Sequence, residues 1–223
     1  RTRLSRLFQV ELVPRFESLI ARFFQPHSDK HSLNMFRSSI VADVKALNPD
    51  LVHLHWVGNG MLRPEDISRF GCPVVWTLHD LWPLLGAEHY FCDSEDYQNG
   101  YTTGSYSKRG ININRWLLKR KKKAYAKVKL KAVGNSTWVS DCAIKSPVFR
   151  KDQVQTILYS IDQRVFRPRD RSVCRDLFDV DADAHVILFG ADTLKNKRKG
   201  FDLLLQALQG LPEYINGKQV IAL

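Results

Sequence analysis

Residues 74–83 read VVWTLHDLWP, and this stretch decides the fold of the segments around it. Five residues that suit a buried β-strand, VVWTL, run directly into His79 and Asp80. A proline follows at position 83, where a regular strand cannot continue. Continuous apolar strands are typical of parallel sheets that are covered by helices on both faces. The stretch therefore predicts a central parallel strand with two titratable residues just beyond its carboxyl end.

The segments on either side alternate between strand and helix patterns. Pro49 ends a helix pattern, and Pro64 stands at the first position of another. The predicted elements are a helix over 32–47, a strand at 51–56, a helix from 64 to about 70, the strand at 74–78, a helix over 114–127, a strand at 129–134, a helix capped by Ser136 or Thr137 and running to Ile144, and a strand at 153–158. An irregular stretch at 80–112 is predicted to be a functional or mobile loop. The alternation predicts an α/β fold with a parallel sheet.

The stretch SIDQRVFRPRDRS at 160–172 is predicted to be a linker, and it places a domain boundary near residue 165. Beyond it the pattern restarts with a helix at 172–178, a strand at 185–191, a helix at 200–211 and the start of a strand at 218–223. We therefore expect two Rossmann-like parallel-sheet domains, residues 1–165 and 166–223. Both are expected to be incomplete, because the first lacks an opening strand and the second ends inside a strand.

Composition limits the class of protein. The chain has 223 residues, of which 44% are apolar and 26% charged, and this balance excludes wholesale disorder. Its 34 Lys and Arg outnumber 23 Asp and Glu, giving a formal charge of +11 that favours negatively charged partners. No apolar run approaches the roughly 20 residues of a membrane span. The four cysteines, Cys92 among them, form neither a zinc nor a disulfide pattern, which favours a reduced, cytoplasmic protein.

Candidate site residues follow the ends of two predicted strands. Ligands of open parallel sheets bind beyond the carboxyl ends of the strands. His79 and Asp80 lie at such an end, and His55 lies at another, with Gly58 and Gly60 just beyond it. A hydrogen-bonded structural role remains the alternative for a histidine at such a position. The glycines form only G-x-G, so they do not predict a dinucleotide site.

Several motifs occur in an order that points to one family. They are DLVHLHWVGNGML at 50–62, PVVWTLHDLWPLLGAEHY at 73–90, RWLLKRKKKAY at 115–125, GNSTWVSDCA at 134–143, SIDQRVFRP at 160–168 and FGADTLKNKRKGFDLLLQAL at 189–208. Together they resemble the retaining glycosyltransferases of family 4, which have the two-domain GT-B fold, and in particular the branch that builds bacterial exopolysaccharides and capsules. The resemblance covers about positions 40–210, and WTLHDLWP and RKGFDLLLQAL are its most specific parts.

The resemblance implies roles on the acceptor-side domain. By this likeness His79 lies in the inter-domain cleft near the donor sugar and the reaction centre, and Asp80 lies beside it. His55, with Gly58 and Gly60, would line the acceptor side. The acceptor would be a glycan or a lipid-linked sugar, and the anomeric configuration would be retained.

On the donor side, the resemblance implies that Lys199 reaches the diphosphate of a nucleotide sugar. A cation there would stabilise the charge that builds on the leaving diphosphate. The helix that starts near Gly200 would add its N-terminal dipole. The family often has an arginine after the strand glycine, whereas Ala191 follows Gly190 here, and either Arg198 or Lys197 is the expected substitute. The nucleotide sugar would be a co-substrate, with no cofactor and no metal.

Two further departures concern the linker and the donor site. Tyr159 and Ser160 stand where the family usually has Asn-Gly, and the E-x7-E region that holds the ribose and the donor sugar does not occur in the sequence. These 223 residues alone are therefore expected to be catalytically inactive.

Other partners remain open on the sequence alone. The run KRKKK at 119–123 fills consecutive positions, so its cations are expected to surround a solvated helix. An anionic membrane surface or nucleic acid are the alternatives for this run. The segment 1–24 has a basic amphipathic pattern, which fits either interfacial attachment at the inner face of the membrane or two core helices. Arg109 and Gly110 are candidate contacts for acceptor sugars. The competing functions are a basic nucleic-acid-binding α/β module, with nucleic acid the less favoured partner, and a non-catalytic remnant.

Overall fold

The computed structural model describes residues 12–24, 31–90, 95–102 and 112–223, with only the backbone described at 21–24. The interpretations of Cys92, of Arg109 and Gly110, and of residues 1–11 lie outside these ranges. The chain divides into two compact units, residues 1–160 and 161–223.

The first unit is an α/β fold, as the sequence predicts. Its elements are α1 (Val13–Phe24), α2 (Ile40–Leu47), β1 (Val52–Leu54), α3 (Pro64–Ile67), β2 (Val74–Leu78), α4 (Ile113–Tyr125), β3 (Leu130–Gly134), α5 (Thr137–Lys145) and β4 (Val154–Thr156), with short 3-10 helices at Asp96–Asn99 and Lys151–Gln153. The four strands form one parallel sheet in the order β1-β2-β3-β4.

The two faces of this sheet differ. On one face Leu54, Trp76 and Ala132 lie side by side and are buried in the core. On the other face His53, Lys131 and Gln155 are exposed, Val75 and Thr77 are half-buried, and Val133 is buried. Within the described residues, the expected cover is thus complete on one face and only partial on the other. Polar side chains alternate along the short strands, as expected for strands that are half-buried.

The helix predicted over 32–47 begins only at Ile40. Asn34 has the left-handed φ of 48°, which a helix cannot contain. Its amide donates to the carbonyl oxygens of Val57 and Leu62 at 2.8 and 2.6 Å, and its backbone N–H donates to Glu17 at 2.8 Å. These long-range hydrogen bonds outweigh the local helical pattern before residue 40.

The first part of the stretch after β2 is not the mobile loop that is one of the two predicted alternatives. Residues 80–87 are all buried, and they include Leu81, Trp82, Leu84 and Leu85 of the core. The Lys121 ammonium holds this stretch by donating to the carbonyl oxygens of Trp82, Leu85 and Gly86, and it lies 3.7 Å from the centroid of a Trp82 ring. The first part of the predicted loop is therefore part of the core.

The expectation that the cations of the run 119–123 surround a solvated helix is wrong. Lys121 is fully buried. Arg120 donates twice to the Glu65 carboxylate, at 2.7 Å each, which ties α4 to α3. Lys119, Lys122 and Lys123 remain exposed. Because a helix has 3.6 residues per turn, consecutive residues point to different surroundings.

The second unit contains α6 (Arg171–Leu177), β5 (His185–Ile187), α7 (Phe201–Gln209), β6 (Tyr214–Ile215) and β7 (Lys218–Ala222), with a 3-10 helix at Lys197–Lys199. Its sheet has the order β5-β7-β6, in which β5 and β7 are parallel and β6 is antiparallel to β7. The short strand β6 was not predicted. The buried residues of this unit are Val180 and Ala184, and neither helix buries a residue.

Cys72, Cys142 and Cys174 are free, and Cys142 is buried. In the parts of the chain that the structure describes, no helix combines the length and the apolar character that crossing a membrane requires.

Candidate functional site

Two histidines lie together beyond the carboxyl ends of neighbouring strands. His55 follows β1, and His79 follows β2, which pairs with β1 in parallel. The Nδ1 atom of His55 lies 2.8 Å from the Nε2 atom of His79, and the ring centroids are 5.1 Å apart in a stacked arrangement. Both side chains are exposed. The structure thus brings together two residues that the sequence places 24 positions apart.

The other ring nitrogen of His79 is also occupied. Its Nδ1 atom hydrogen-bonds the hydroxyl of Tyr159, and the two rings stack with centroids 5.6 Å apart. The Asn135 side-chain amide, just beyond β3, donates to the same hydroxyl oxygen at 2.8 Å. A chain of hydrogen bonds therefore runs from Asn135 through Tyr159 and His79 to His55.

The surroundings of His79 change its pKa. Burial lowers the pKa of His79 below its ordinary value, and the rings of His55 and His53 lower it further, while the Asp80 carboxylate opposes them. The His53 ring lies 4.4 Å from that of His55, centroid to centroid, and its Nε2 is bonded to the Thr77 hydroxyl at 2.9 Å. The neutral form of His79 is therefore favoured. A neutral ring has one donor and one acceptor nitrogen, so a proton can pass between Tyr159, His79 and His55 along their hydrogen bonds.

Asp80 points into the interior, although it follows His79 directly. Its Oδ2 atom accepts hydrogen bonds from the indole N–H of Trp56 at 2.8 Å and from Nδ1 of His89 at 2.5 Å. Its Oδ1 atom accepts from the backbone N–H of Trp82 at 3.1 Å. Burial raises the pKa of Asp80, but the hydrogen bond and the charge of His89 outweigh it and leave that pKa below its ordinary value. An ionised carboxylate thus anchors the turn that presents His79.

His89 continues this interior network to Ser32. The Nε2 atom of His89 lies 2.8 Å from the Ser32 hydroxyl, which also accepts from the backbone N–H of Asn59 at 2.9 Å. The order Ser32, His89, Asp80 matches the relay of a serine hydrolase. Ser32 and His89 are each only 1% exposed, so a substrate carbonyl cannot reach the hydroxyl. The network therefore stabilises the loops around the histidine pair and does not form a nucleophilic site.

Gly58 and Gly60 are buried in the loop that follows His55. A β-carbon on Gly58 would lie 2.9 Å from both the His89 ring and the Ser32 hydroxyl. Gly60 has a φ of +72°, and a β-carbon there would lie 2.5 Å from Val13. Both positions require glycine because the backbone passes close to other atoms or adopts a left-handed conformation.

In the second unit, three cations precede a helix. Lys197, Arg198 and Lys199 form the 3-10 helix, and Gly200, with a φ of +71°, is the N-cap of α7. The side chain of Asn196 accepts from the Arg198 N–H at 3.2 Å and fixes the turn. The segment carries positive side chains to the N-terminus of a nine-residue helix, where the helix dipole also favours an anion.

Over the described ranges, no group of three or more His, Cys, Asp or Glu residues is placed to hold a metal ion. Sequence reasoning missed Tyr159, Asn135, His89 and Ser32 as members of these networks. The replacement of Asn-Gly by Tyr159 and Ser160 was visible, but it did not show that the Tyr159 ring stacks on His79.

No protein-family model matches the chain, and no curated protein does. Among solved structures, the chain is similar to a glycosyltransferase from Rickettsia africae ESF-5, at 14% sequence identity and a TM-score of 0.40. The match covers 82% of this chain and 49% of that protein, so the chain spans about half the length of the neighbour. At this level the likeness bears on neither the activity nor the site residues.

Proposed function

We propose that this chain is part of a glycosyltransferase that moves a sugar from a nucleotide-sugar donor to a glycan or lipid-linked acceptor. The observation that carries the proposal is the hydrogen-bonded pair of His55 and His79 at the carboxyl edge of a parallel sheet. Open α/β sheets bind their ligands at this edge. The stretch WTLHDLWP, which supplies His79, is also one of the two most specific parts of the resemblance to family 4 glycosyltransferases.

The proposal extends to the GT-B fold and to retention of the anomeric configuration. Residues 1–160 would supply the acceptor side, and residues 161–223 the first part of a nucleotide-sugar-binding domain. In such a mechanism the donor diphosphate itself helps to deprotonate the acceptor hydroxyl. No metal or cofactor would be needed. The protein would work in the cytoplasm or at the inner face of the membrane.

His79 would position the donor sugar and would not act as an independent base. Both of its ring nitrogens are bonded, one to His55 and one to Tyr159, so its orientation is held before a ligand arrives. Pre-positioned groups reduce the entropy lost on reaching a reactive geometry. His55 would face the acceptor, and Gly58 and Gly60 would shape the loop behind it. Asp80 would support His79 through the turn that it anchors.

Lys199 and Arg198 would bind the donor diphosphate. Cationic donors form short, charge-assisted hydrogen bonds to phosphate oxygens. The α7 N-terminus at Gly200 adds backbone N–H groups that favour the same anion. These positive charges would stabilise the negative charge that accumulates on the leaving diphosphate.

The proposal is tested first by donor binding. Saturation-transfer NMR of this chain with UDP-, GDP- and dTDP-sugars is expected to detect binding of one donor class. Lys199→Gln is expected to weaken that binding about tenfold, which corresponds to about 1.4 kcal/mol. Lys195→Gln removes a charge from the same loop and serves as the matched control. Absence of binding by all three donor classes would contradict the donor assignment.

Transfer is tested on the product of the complete reading frame, with sugar transfer followed by mass spectrometry. His79→Ala is expected to reduce turnover at least a hundredfold, and His185→Ala, an exposed histidine on β5, is the control. Normal turnover with His79→Ala would reject the role of His79. Measurable transfer by the 223 residues alone would overturn the expectation that they are inactive.

A further inference from the structure

A groove in the first unit lies along α4. It has a volume of about 300 Å³ and is lined by the 3-10 helix at Asp96–Asn99, the residues that follow it, and α4. Leu118 and Pro147 form an apolar part of its wall. Neither His55 nor His79 is among the described residues that line it. We call it the α4 groove.

Three cations of α4 line the α4 groove. Arg115, Lys119 and Lys122 lie at positions i, i+4 and i+7, which places them on one stripe of the helix. Each of the three is exposed. In the described part of the chain none of them has a carboxylate within ion-pair distance, and no carboxylate lines the groove. The remaining cations of the run differ, because Arg120 is paired with Glu65 and Lys121 is bonded to carbonyl oxygens.

This arrangement is unfavourable for the helix by itself. Like charges three or four positions apart destabilise a helix by a few tenths of a kcal/mol per pair. Arg115 stands in the first turn, where the helix dipole disfavours a cation. The helix sequence INRWLLKRKKKAY contains no acidic residue to compensate. An anion in the α4 groove would relieve both effects.

The size and the polar wall narrow the class of anion. A volume of about 300 Å³ lies at the lower end of the roughly 300–1,000 Å³ of small-molecule sites. The exposed side chain of Asn99 adds an amide donor to the wall. None of the described residues that line the groove is aromatic, so these residues offer no surface on which a nucleic-acid base could stack. The features fit a compact phosphate group better than a polynucleotide.

We propose that the α4 groove binds a small phosphate-bearing ligand through Arg115, Lys119 and Lys122, with a diphosphate group as the recognised chemistry. Arginine presents a planar fork that matches two phosphate oxygens, and the two lysines add point charges. The diphosphate can be free in solution or carried by a lipid headgroup. The inference does not depend on the histidine pair or on glycosyl transfer.

The primary test is a calorimetric titration with inorganic pyrophosphate at constant ionic strength, made in the Arg198→Gln, Lys199→Gln background so that the proposed donor site does not contribute. Saturable binding with a stoichiometry of one is expected. The triple variant Arg115→Gln, Lys119→Gln, Lys122→Gln is expected to weaken it at least tenfold. The matched variant Lys123→Gln, Lys127→Gln, Lys129→Gln removes three exposed cations from outside the groove, and it is expected to change the affinity less than twofold. Equal losses in the two variants, or no saturable binding, would overturn the proposal.

A variant that leaves the net charge unchanged distinguishes binding in the α4 groove from attraction by the overall positive charge. Asn99→Leu places an apolar side chain in the α4 groove without changing the net charge, and it is expected to weaken pyrophosphate binding at least threefold. Circular dichroism verifies that each variant is folded. Unchanged affinity in Asn99→Leu together with equal losses in the two triple variants would mean that only the overall positive charge attracts the anion.

Vesicles distinguish the two sources of the ligand. The chain is sedimented with phosphatidylcholine vesicles that contain a lipid with a diphosphate headgroup and, separately, with phosphatidylcholine vesicles alone. If the chain binds the vesicles with the anionic headgroup and pyrophosphate releases it from them, the source of the ligand is a lipid headgroup. Pyrophosphate binding without sedimentation would identify a free ligand. Sedimentation without any binding of pyrophosphate would refute the site.

Discussion

The Nδ1 atom of His55 and the Nε2 atom of His79 are 2.8 Å apart, and they belong to residues that follow adjacent parallel strands. The contact gives His55 a direct influence on the neighbouring ring, because a charge on His55 disfavours a second charge beside it and lowers the pKa of His79.

Replacing His55 is expected to change the titration of His79. Burial is the main cause of the lowered pKa of His79, and the charge of His55 is the second. His55→Asn should therefore raise the pKa of His79 part of the way towards its ordinary value of 6.5, as followed by NMR of the ring Cε1–H resonance. His185→Asn is the control. An unchanged titration of His79 in His55→Asn would show that the two rings are not coupled.

The same lowered pKa has a consequence for stability. Between the pKa of folded His79 and the unfolded value of 6.5, the unfolded chain binds more protons than the folded chain. The contribution of neutral His79 to the free energy of unfolding is fully present above this pH window, and it is lost as the pH falls through the window. Urea unfolding across this window should therefore depend less on pH in His79→Gln than in the parent chain. Equal slopes in the two proteins would contradict the linkage.

Asp80→Asn is expected to destabilise the first unit by about 2 kcal/mol, because buried donors on Trp56 and His89 lose a charged acceptor. The pKa of Asp80 in the folded chain lies below its ordinary value of 3.8. The contribution of the carboxylate to the free energy of unfolding is therefore present above pH 3.8, and it is lost as the pH falls through the pKa of the folded chain. The difference between the two proteins in urea unfolding should thus shrink in acid. Asp141→Asn, at an exposed position on α5, is the control and should show neither effect.

Lys121→Met is expected to lower the free energy of unfolding by about 3 kcal/mol. The methionine fills the space of the lysine stem, but the carbonyl oxygens of Trp82, Leu85 and Gly86 lose their shared donor inside the core. Lys123→Met makes the same chemical change at an exposed position of the same helix and should stay within about 0.5 kcal/mol. Equal stability of the two variants in urea unfolding would argue against the role of Lys121.

The second unit is expected to exchange its amide hydrogens faster than the first. Its helices bury no residue, and Leu177, Leu188 and Leu203 are each more than 60% exposed. Regions with few buried apolar contacts open at a low free-energy cost. Hydrogen exchange followed by mass spectrometry should show peptides from 161–223 exchanging well before those that contain β2 and β3. Comparable protection in both units would contradict this expectation.

The alternation of strand and helix could be predicted because it depends on local patterns and on proline. Such patterns also placed His55 and His79 at strand ends, and parallel pairing then brings them together. The contact of His79 with Tyr159 could not be predicted, since it joins residues 80 positions apart. The inward turn of Asp80 depends on His89, which is 9 positions further along the chain. The late start of α2 depends on the contacts of Asn34, among them one with Val57, 23 positions away. The burial of Lys121 within a run of lysines depends on the packing of α4.

The enclosure of Lys121 also affects its chemical reactivity. Amine-modifying reagents attack the uncharged amine and need direct access to it, and the Lys121 side chain is fully enclosed while Lys119, Lys122 and Lys123 beside it are open. A pulse of such a reagent should modify the three neighbours at once and position 121 only when α4 separates from the turn at 82–86. The run of lysines thus contains its own internal standard, and the extent of modification at position 121 reports how often the core of the first unit opens.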